Sequence, residues 1–431
     1  MAKRTRALGL SKSRKQQKTT SSSKENDEER EKSATPQLNI EVEENENADN
    51  VTVQLIGLWN SYLDSSRDSD ALLNGIVNEC DTLLSGDVDN EDLKKDDQFL
   101  AVFALALSEL TIFNPKKVHE YFEDSLQIVK LYSGDGENDL LNVVESKIIF
   151  QRIPLEYISK LEEDSNAKID VNLLKLIELG QSKFNKSMSQ LISTDEKKYA
   201  NEKFINGLII ENISIFNDLV DIVENFGSKK NLDEGLDSEA ESDEEDGDME
   251  DNTVQLTATH PLYKVQEELD GKSVWLRNEM IEFLTSLVVD TKSYYYISKL
   301  IGESFLKESE PFSDSYLKMV YDEEEDDEEN EMNKSSIEAS QTESIRLILQ
   351  AIEYLTKAQD PENAESWAQL AEAYIDLGNV QDNESAEQEE SYKKAEEILQ
   401  KANVASHNKY QYILDNMNSD SLSKEVENTN I

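Results

Sequence analysis

Cysteine is almost absent. Cys80 is the single one, so no disulfide forms within the chain, which fits a reducing compartment inside the cell. Histidine is nearly as scarce: His119, His260 and His407 stand far apart and belong to no H-E-x-x-H or H-x-E arrangement, so the usual spacing of a zinc site is missing. No G-x-x-x-x-G-K-[ST] loop, no G-x-G-x-x-G turn and no G-x-S-x-G elbow occurs. The sequence therefore predicts no enzyme and no cofactor. Long apolar runs are lacking too. None approaches the roughly 20 residues that span a bilayer, and the N-terminus has no apolar signal-peptide core, so a soluble chain without a membrane is expected. Positive charge is in short supply, with 43 Lys and Arg against 92 Asp and Glu and a formal net charge of -49. Nucleic acid repels such a chain except at a local basic arm, and basic proteins are the partners its charge favours.

That basic arm is the N-terminus. Lys3, Arg4 and Arg6, then Lys12, Arg14 and Lys15, lie in a stretch from 1 to 24 that holds no acidic residue. Two such clusters are candidates for nuclear import, with RNA contact or a solvated tail as the alternatives. From Glu25 the sign reverses and apolar residues stay sparse to 50, too few to offset the entropy of ordering the segment, so a disordered tail over 1–50 is expected. A dense acidic run at 233–251 and a second at 322–329 break the chain again. The organisation read from this is an N-terminal helical lobe at 51–230, a disordered acidic linker at 231–257, a C-terminal helical lobe at 258–417 with a disordered acidic insert at 322–342, and a tail at 418–431. Ser238 and Ser242, each with an acid three residues on, are candidate phosphorylation sites.

Between these segments the pattern is helical. Leu55, Leu58, Trp59, Tyr62 and Leu63 recur at i, i+3, i+4, i+7 and i+8. Leu72, Leu73, Ile76, Val77, Cys80, Leu83 and Leu84 repeat the stripe, which makes Cys80 a core residue rather than a nucleophile. F-L-A-V-F-A-L-A-L-S-E-L-T-I-F at 99–113 is apolar around most of its circumference and is expected to stop at Asn114-Pro115. Arg152, inside an apolar run just before Pro154, is expected to pair with a carboxylate, a ligand contact being the alternative. Gly227 is placed to cap a long apolar helix over 204–226.

Residues 364–407 carry the most specific pattern. Trp367, Leu370, Ala371, Tyr374 and Gly378, then Ala395, Leu399 and Ala402, have the large and small spacing of a tetratricopeptide helix pair. Such a pair must stack on neighbours, and proteins built from them usually bind other proteins. The predicted fold class is all-α, a tetratricopeptide-like helical repeat array. In that motif the residues two before, and five and nine after, the tryptophan face the groove. Here they are Glu365, Glu372 and Asp376. An open groove lined this way suits a basic peptide; a filled one leaves them as a solvated face.

With these residues in view, the chain resembles the enhancer of translation termination 1 family. The stretches that carry the likeness are LLNGIVNECDTLL at 72–84, FALALSELTIF at 103–113, KIIFQRIPLEYISKL at 147–161, NDLVDIVENFG at 217–227, HPLY at 260–263, and the run from Trp367 to His407 with its polar insertion at 380–391. The resemblance implies a non-enzymatic nuclear factor needed for efficient translation termination, with a part in hypoxic gene control. It also implies association with a termination-linked 2-oxoglutarate dioxygenase and with release-factor or ribosome-associated proteins. The competing reading, from charge alone, is an acidic nuclear chaperone for histones or ribosomal proteins.

Overall fold

The computed structural model describes residues 50–85, 91–134, 136–163, 169–193, 202–228, 256–321 and 330–415. The basic clusters from Lys3 to Lys15, the acidic run with Ser238 and Ser242, the block at 322–329 and the residues from 416 onward lie outside them. Among the described residues every regular element is a helix. The chain divides into two compact units, one of residues 1–148 with 198–206 and one of 149–197 with 207–431.

The first unit contains α1 (Val51–Asp64), α2 (Asp70–Ser85), α3 (Asp97–Phe113) and α4 (Val118–Lys130), with most of α5 (Asp139–Arg152). Side-chain caps set the starts of α1 and α3: Asn50 accepts from the Thr52 N–H at 2.9 Å, and Asp96 accepts from Phe99 at 3.1 Å. The helix α3 is the centre of this unit, buried without a break from Phe99 to Thr111, and it ends at Asn114 before Pro115, where the missing N–H stops the ladder. Cys80 is fully buried on α2, and burial pushes its thiol up, so it behaves as a small core hydrophobe.

One charged group lies inside that all-apolar helix. Glu109 is 0% exposed, and so is Lys147, whose ammonium lies 2.8 Å from Glu109 Oε1. Tyr62 donates its hydroxyl to Glu109 Oε2 at 3.0 Å, and the Arg67 guanidinium stands 3.5 Å from the same oxygen. Lys147 also sits 5.9 Å from the centre of the Trp59 ring. Burial alone would push the Glu109 carboxyl up, but the Lys147 and Arg67 charges and the bonds from Lys147 and Tyr62 hold it below the usual value. This pair joins α3 to α5.

The second unit begins with the last turn of α5, which passes into a π turn at Ile153–Tyr157 containing Pro154. There Arg152 pairs with Glu156 at 2.5 Å, and its guanidinium lies 5.6 Å from the Tyr157 ring; the expected structural ion pair is present. Next come α6 (Leu173–Ile192) and α7 (Glu202–Glu224), whose first residues belong to the other unit. Gly227, at φ +82°, takes the left-handed conformation that ends α7. The short α8 (Tyr263–Glu267) and α9 (Leu269–Leu284) follow, then α10 (Lys292–Tyr321), α11 (Asn330–Lys357), α12 (Ala364–Asn379) and α13 (Ala386–Ala405).

The division into units differs from the lobes expected at 51–230 and 258–417. Phe150, Phe184 and Phe216 meet Trp275 edge to face at 4.7 to 6.5 Å, so residues before the acidic run share a core with residues after it. The two ends of that run also meet: the Phe226 ring lies 5.4 Å from His260, and Gln266 donates to the Val223 carbonyl at 3.1 Å. The described residues on either side of the acidic run are therefore neighbours within one unit. The second insert is also shorter than 322–342, because α11 starts at Asn330. Its residue Gln341 donates to Tyr316 at 3.1 Å and to the Val380 carbonyl at 3.1 Å, which gives this turn a reason to be helical.

Helices α10 and α11 approach closely. A Cβ at Gly302 would stand 2.6 Å from Leu355 Cγ and 3.2 Å from the Ala351 carbonyl, so only glycine permits the contact. Two expected outcomes follow for stability. Lys147→Met leaves Glu109 buried with its charge poorly matched and costs about 3–5 kcal/mol, read as lost hydrogen-exchange protection of α3 under mild urea. Adding Glu109→Leu recovers much of that loss; a double variant as weak as the single one contradicts the pairing.

Candidate protein-binding face

The helix α12 is built with two stripes. Asn363 caps its start by accepting from the Glu365 N–H at 3.1 Å, and Asp360 accepts from Glu362 at 2.9 Å in the turn before it. Ala368, Leu370, Ala371, Ala373, Leu377 and Gly378 point into the core. Leu370, Ala373 and Leu377 join Ile348, Ile352 and Leu355 of α11, with Tyr374 half-buried at the edge. Ala368 and Ala371 meet Leu399 and Ala402 of α13, where Ala395 is also fully buried. Trp367 is half-buried against this second cluster, and its outer side borders an open groove with Lys401 and Val404.

The opposite stripe of α12 is Glu365, Gln369, Glu372 and Asp376, at i, i+4, i+7 and i+11. The structure places Glu365, Glu372 and Asp376 on one face of α12 and sets a second helix beside them. Gln369 donates to Glu303 of α10 at 3.2 Å. Burial and the Glu365 charge push the Glu303 carboxyl up, against the opposing pull of Lys299. Burial, followed by Asp314 and Glu224, does the same to Glu310, against Lys307. Burial and Glu365 raise Glu372, and Asp376 is pushed up to about 6 by burial, Glu372 and Glu310. Glu372, Asp376 and Glu310 nevertheless remain open to water. Carboxylates that solvent reaches, yet that protein and like charge crowd, mark a recessed acidic face with too few cations of its own.

Glu303, Glu310 and Asp314 escaped the sequence reading, although a signal was present. E-x6-E-x3-D occurs at Glu303, Glu310 and Asp314 and again at Glu365, Glu372 and Asp376. Phe305 then occupies the place of Trp367, and Phe312 that of Tyr374. Phe305 stacks on Tyr354 at 5.9 Å and lies 4.1 Å from the Arg277 guanidinium, so the aromatic of the earlier helix is also seated in the core.

The polar insertion at 380–391 is wired into the fold. Ser385 accepts from the Gln388 N–H at 3.1 Å, Gln388 reaches the Gly378 carbonyl at 3.0 Å, and Ser391 donates to Gln381 at 2.8 Å. These bonds form the cap of α13 and its tie to α12, which accounts for the insertion without a partner. Among the described residues no group of His, Cys, Asp and Glu is arranged to hold a metal ion, and no helix is long and apolar enough to cross a membrane.

The crowding on the acidic face has a measurable sign. Asp376 is raised in the folded state, so its contribution to stability is lost as pH climbs through about 6. Asp376→Asn therefore raises the melting temperature at pH 7.5, and the gain shrinks at pH 4.5, where the acid is already neutral. A gain equal at both pH values contradicts the mutual repulsion.

Comparison with known proteins identifies the family. The sequence model of the family described as nuclear pore complex subunit Nro1 matches residues 1–418. A protein of Saccharomyces cerevisiae named enhancer of translation termination 1 is 40% identical over 433 residues, covering 96% of this chain and 99% of the relative. A protein of the same name from Vanderwaltozyma polyspora is 40% identical over 429 residues, covering 97% and 99%. The one from Kluyveromyces lactis is 34% identical over 453 residues, with the same coverage of 97% and 99%. The family's description agrees with the nuclear location read from the basic N-terminal clusters. With near full-length identity of this order and a family model spanning both units, the chain belongs to the Nro1 family.

Proposed function

We propose that this chain is a non-enzymatic nuclear scaffold that promotes translation termination, and that its acidic face on α10 and α12 receives a basic segment of a partner protein. The observation that carries the reading is the repeated E-x6-E-x3-D, displayed on two neighbouring helices whose carboxylates crowd one another. In this reading α10 with α11, and α12 with α13, are tetratricopeptide-like pairs whose first helices share the binding face. A cationic segment relieves the repulsion when it binds, which supplies both affinity and a preference for Lys and Arg. The relatives' name supports the link to termination. Through the same face the chain engages a 2-oxoglutarate dioxygenase linked to termination, or release-factor and ribosome-associated proteins, and through them it touches hypoxic gene expression. The clusters from Lys3 to Lys15 serve its import.

The second reading, an acidic chaperone for histones or ribosomal proteins, draws on the net charge of -49. Salt separates the two, because exposed charge pairs weaken as ionic strength rises. The deciding experiment is affinity purification from nuclear extract of the intact chain and of a variant with Glu365, Glu372 and Asp376 all changed to Lys, washed at low and high salt. A dominant partner that withstands salt and is lost from the folded triple variant supports the scaffold. Retention of that partner by the variant removes the face from the binding site, and a broad set of basic proteins lost with salt favours the chaperone. Deleting residues 2–18 is expected to move the protein to the cytoplasm; unchanged nuclear signal assigns import to another segment.

A further inference from the structure

We propose that the His260 ring is a proton-operated latch: neutral, it ties the start of α8 to the end of α7 and to the turn at 161–163; protonated, it releases them and uncovers Leu262 and Val265. The ring is 4% exposed and its two nitrogens are engaged differently. Nδ1 accepts the backbone N–H of Leu262 at 3.1 Å, so it carries no proton. Nε2 therefore holds the ring proton and faces the Glu162 carbonyl at 3.3 Å. The Phe226 ring closes the third side at 5.4 Å.

A second proton has one place to go. It must sit on Nδ1, where it meets the Leu262 N–H and turns an acceptor into a donor, so the bond that fixes the start of α8 is lost. The same proton puts a charge on a ring that water hardly reaches. Charged side chains on the adjoining elements do little to offset this. Glu162, Glu163 and Lys264 face solvent, Glu224 is held by Lys307, and Glu267 accepts from Tyr263. Burial accordingly holds the imidazole below its ordinary value, only partly countered by the Glu162 carbonyl. The sign follows from linkage. A base depressed in the closed state binds fewer protons there, so the closed state is fully favoured above about pH 6.5 and loses stability as pH falls below it.

What opens is apolar. Leu262, at the cap of α8, and Val265 within it are buried, and Val265 lines one small cavity with Val223 of α7. Gln266 donates to the Val223 carbonyl at 3.1 Å, and backbone bonds from Tyr263 to the His260 carbonyl and from Gln266 to the Leu262 carbonyl close the turn. With the Leu262 tie to the ring lost, these bonds and the buried side chains are left to hold a helix of one turn against the core.

The test is hydrogen exchange of the full chain at pH 7.5 and pH 5.0, normalised to the exchange of unstructured peptides, for wild type, His260→Asn and His260→Ala. Asn keeps an oxygen that accepts the N–H two residues on but takes up no proton. In wild type, protection over 256–268 is expected to fall between pH 7.5 and 5.0, because the ring takes up a proton more readily in the open form than in the closed one. His260→Asn stays protected at both pH values, and His260→Ala is open at both. Equal wild-type protection at the two pH values, or the same fall in His260→Asn, overturns the latch. An NMR titration of the wild-type ring gives an independent check: a His260 midpoint at or above the ordinary imidazole value of about 6.5 overturns it as well.

Discussion

A helix with a single apolar stripe cannot bury it alone, and in this chain the stripes must find one another against a net charge of -49. Hydrophobic burial is local and carboxylate repulsion reaches further, so the helices that survive are those packed most closely. Close packing is visible where side chains have been removed to allow it: Gly302 on α10 lets Leu355 and the Ala351 carbonyl approach, and Ala368, Ala371 and Ala402 bring α12 against α13. Charge is then pushed to the faces the stripes leave over. The acidic face of α10 and α12 is therefore a consequence of the packing as much as a feature added to it.

Among the described residues, three cations are buried and used differently from the rest. Lys147, Arg152 and Arg277 are buried, and each meets a carboxylate: Glu109, Glu156 and Glu308 respectively. Arg277 also donates to the Ser304 carbonyl at 3.2 Å, which joins α9 to α10. A well-packed apolar pair in these places would give comparable stability. The two pairs that join different helices, Lys147 with Glu109 and Arg277 with Glu308, also favour one register, since a helix that slips by one residue parts a buried charge from its partner.

The sequence made some of this legible and hid the rest for identifiable reasons. Helix existence, the stop at Asn114-Pro115, the cap at Gly227 and the pair at Arg152 rest on local chemistry, which a window of residues contains. Glu109 also announces that it needs a partner, being an acid in a helix apolar on every side, but the partner lies at Lys147, across α4 in the chain, and no local rule names it. The acidic run at 233–251 misled in the other direction. Composition says that such a segment does not pack, and it says nothing about whether its two ends meet, which depends on Phe226 and His260. Within the binding face, Glu365, Glu372 and Asp376 were found through the Trp367 motif. Their counterparts on α10 were missed because Phe305 stands where the motif has tryptophan.

The acidic face and His260 respond to pH in opposite senses, and the opposition constrains where this fold works. As pH rises through about 6 the face gains charge, which sharpens its complementarity to a basic segment while loosening its own helices. The His260 ring, held below its ordinary value by burial, is neutral on the alkaline side, and its tie to Leu262 is then formed. Near neutral pH one part of the second unit is thus held shut while another is charged and crowded, with Lys299 and Lys307 relieving it only in part. The crowding is therefore confined to one face, while the junction at His260 is held by its own bond.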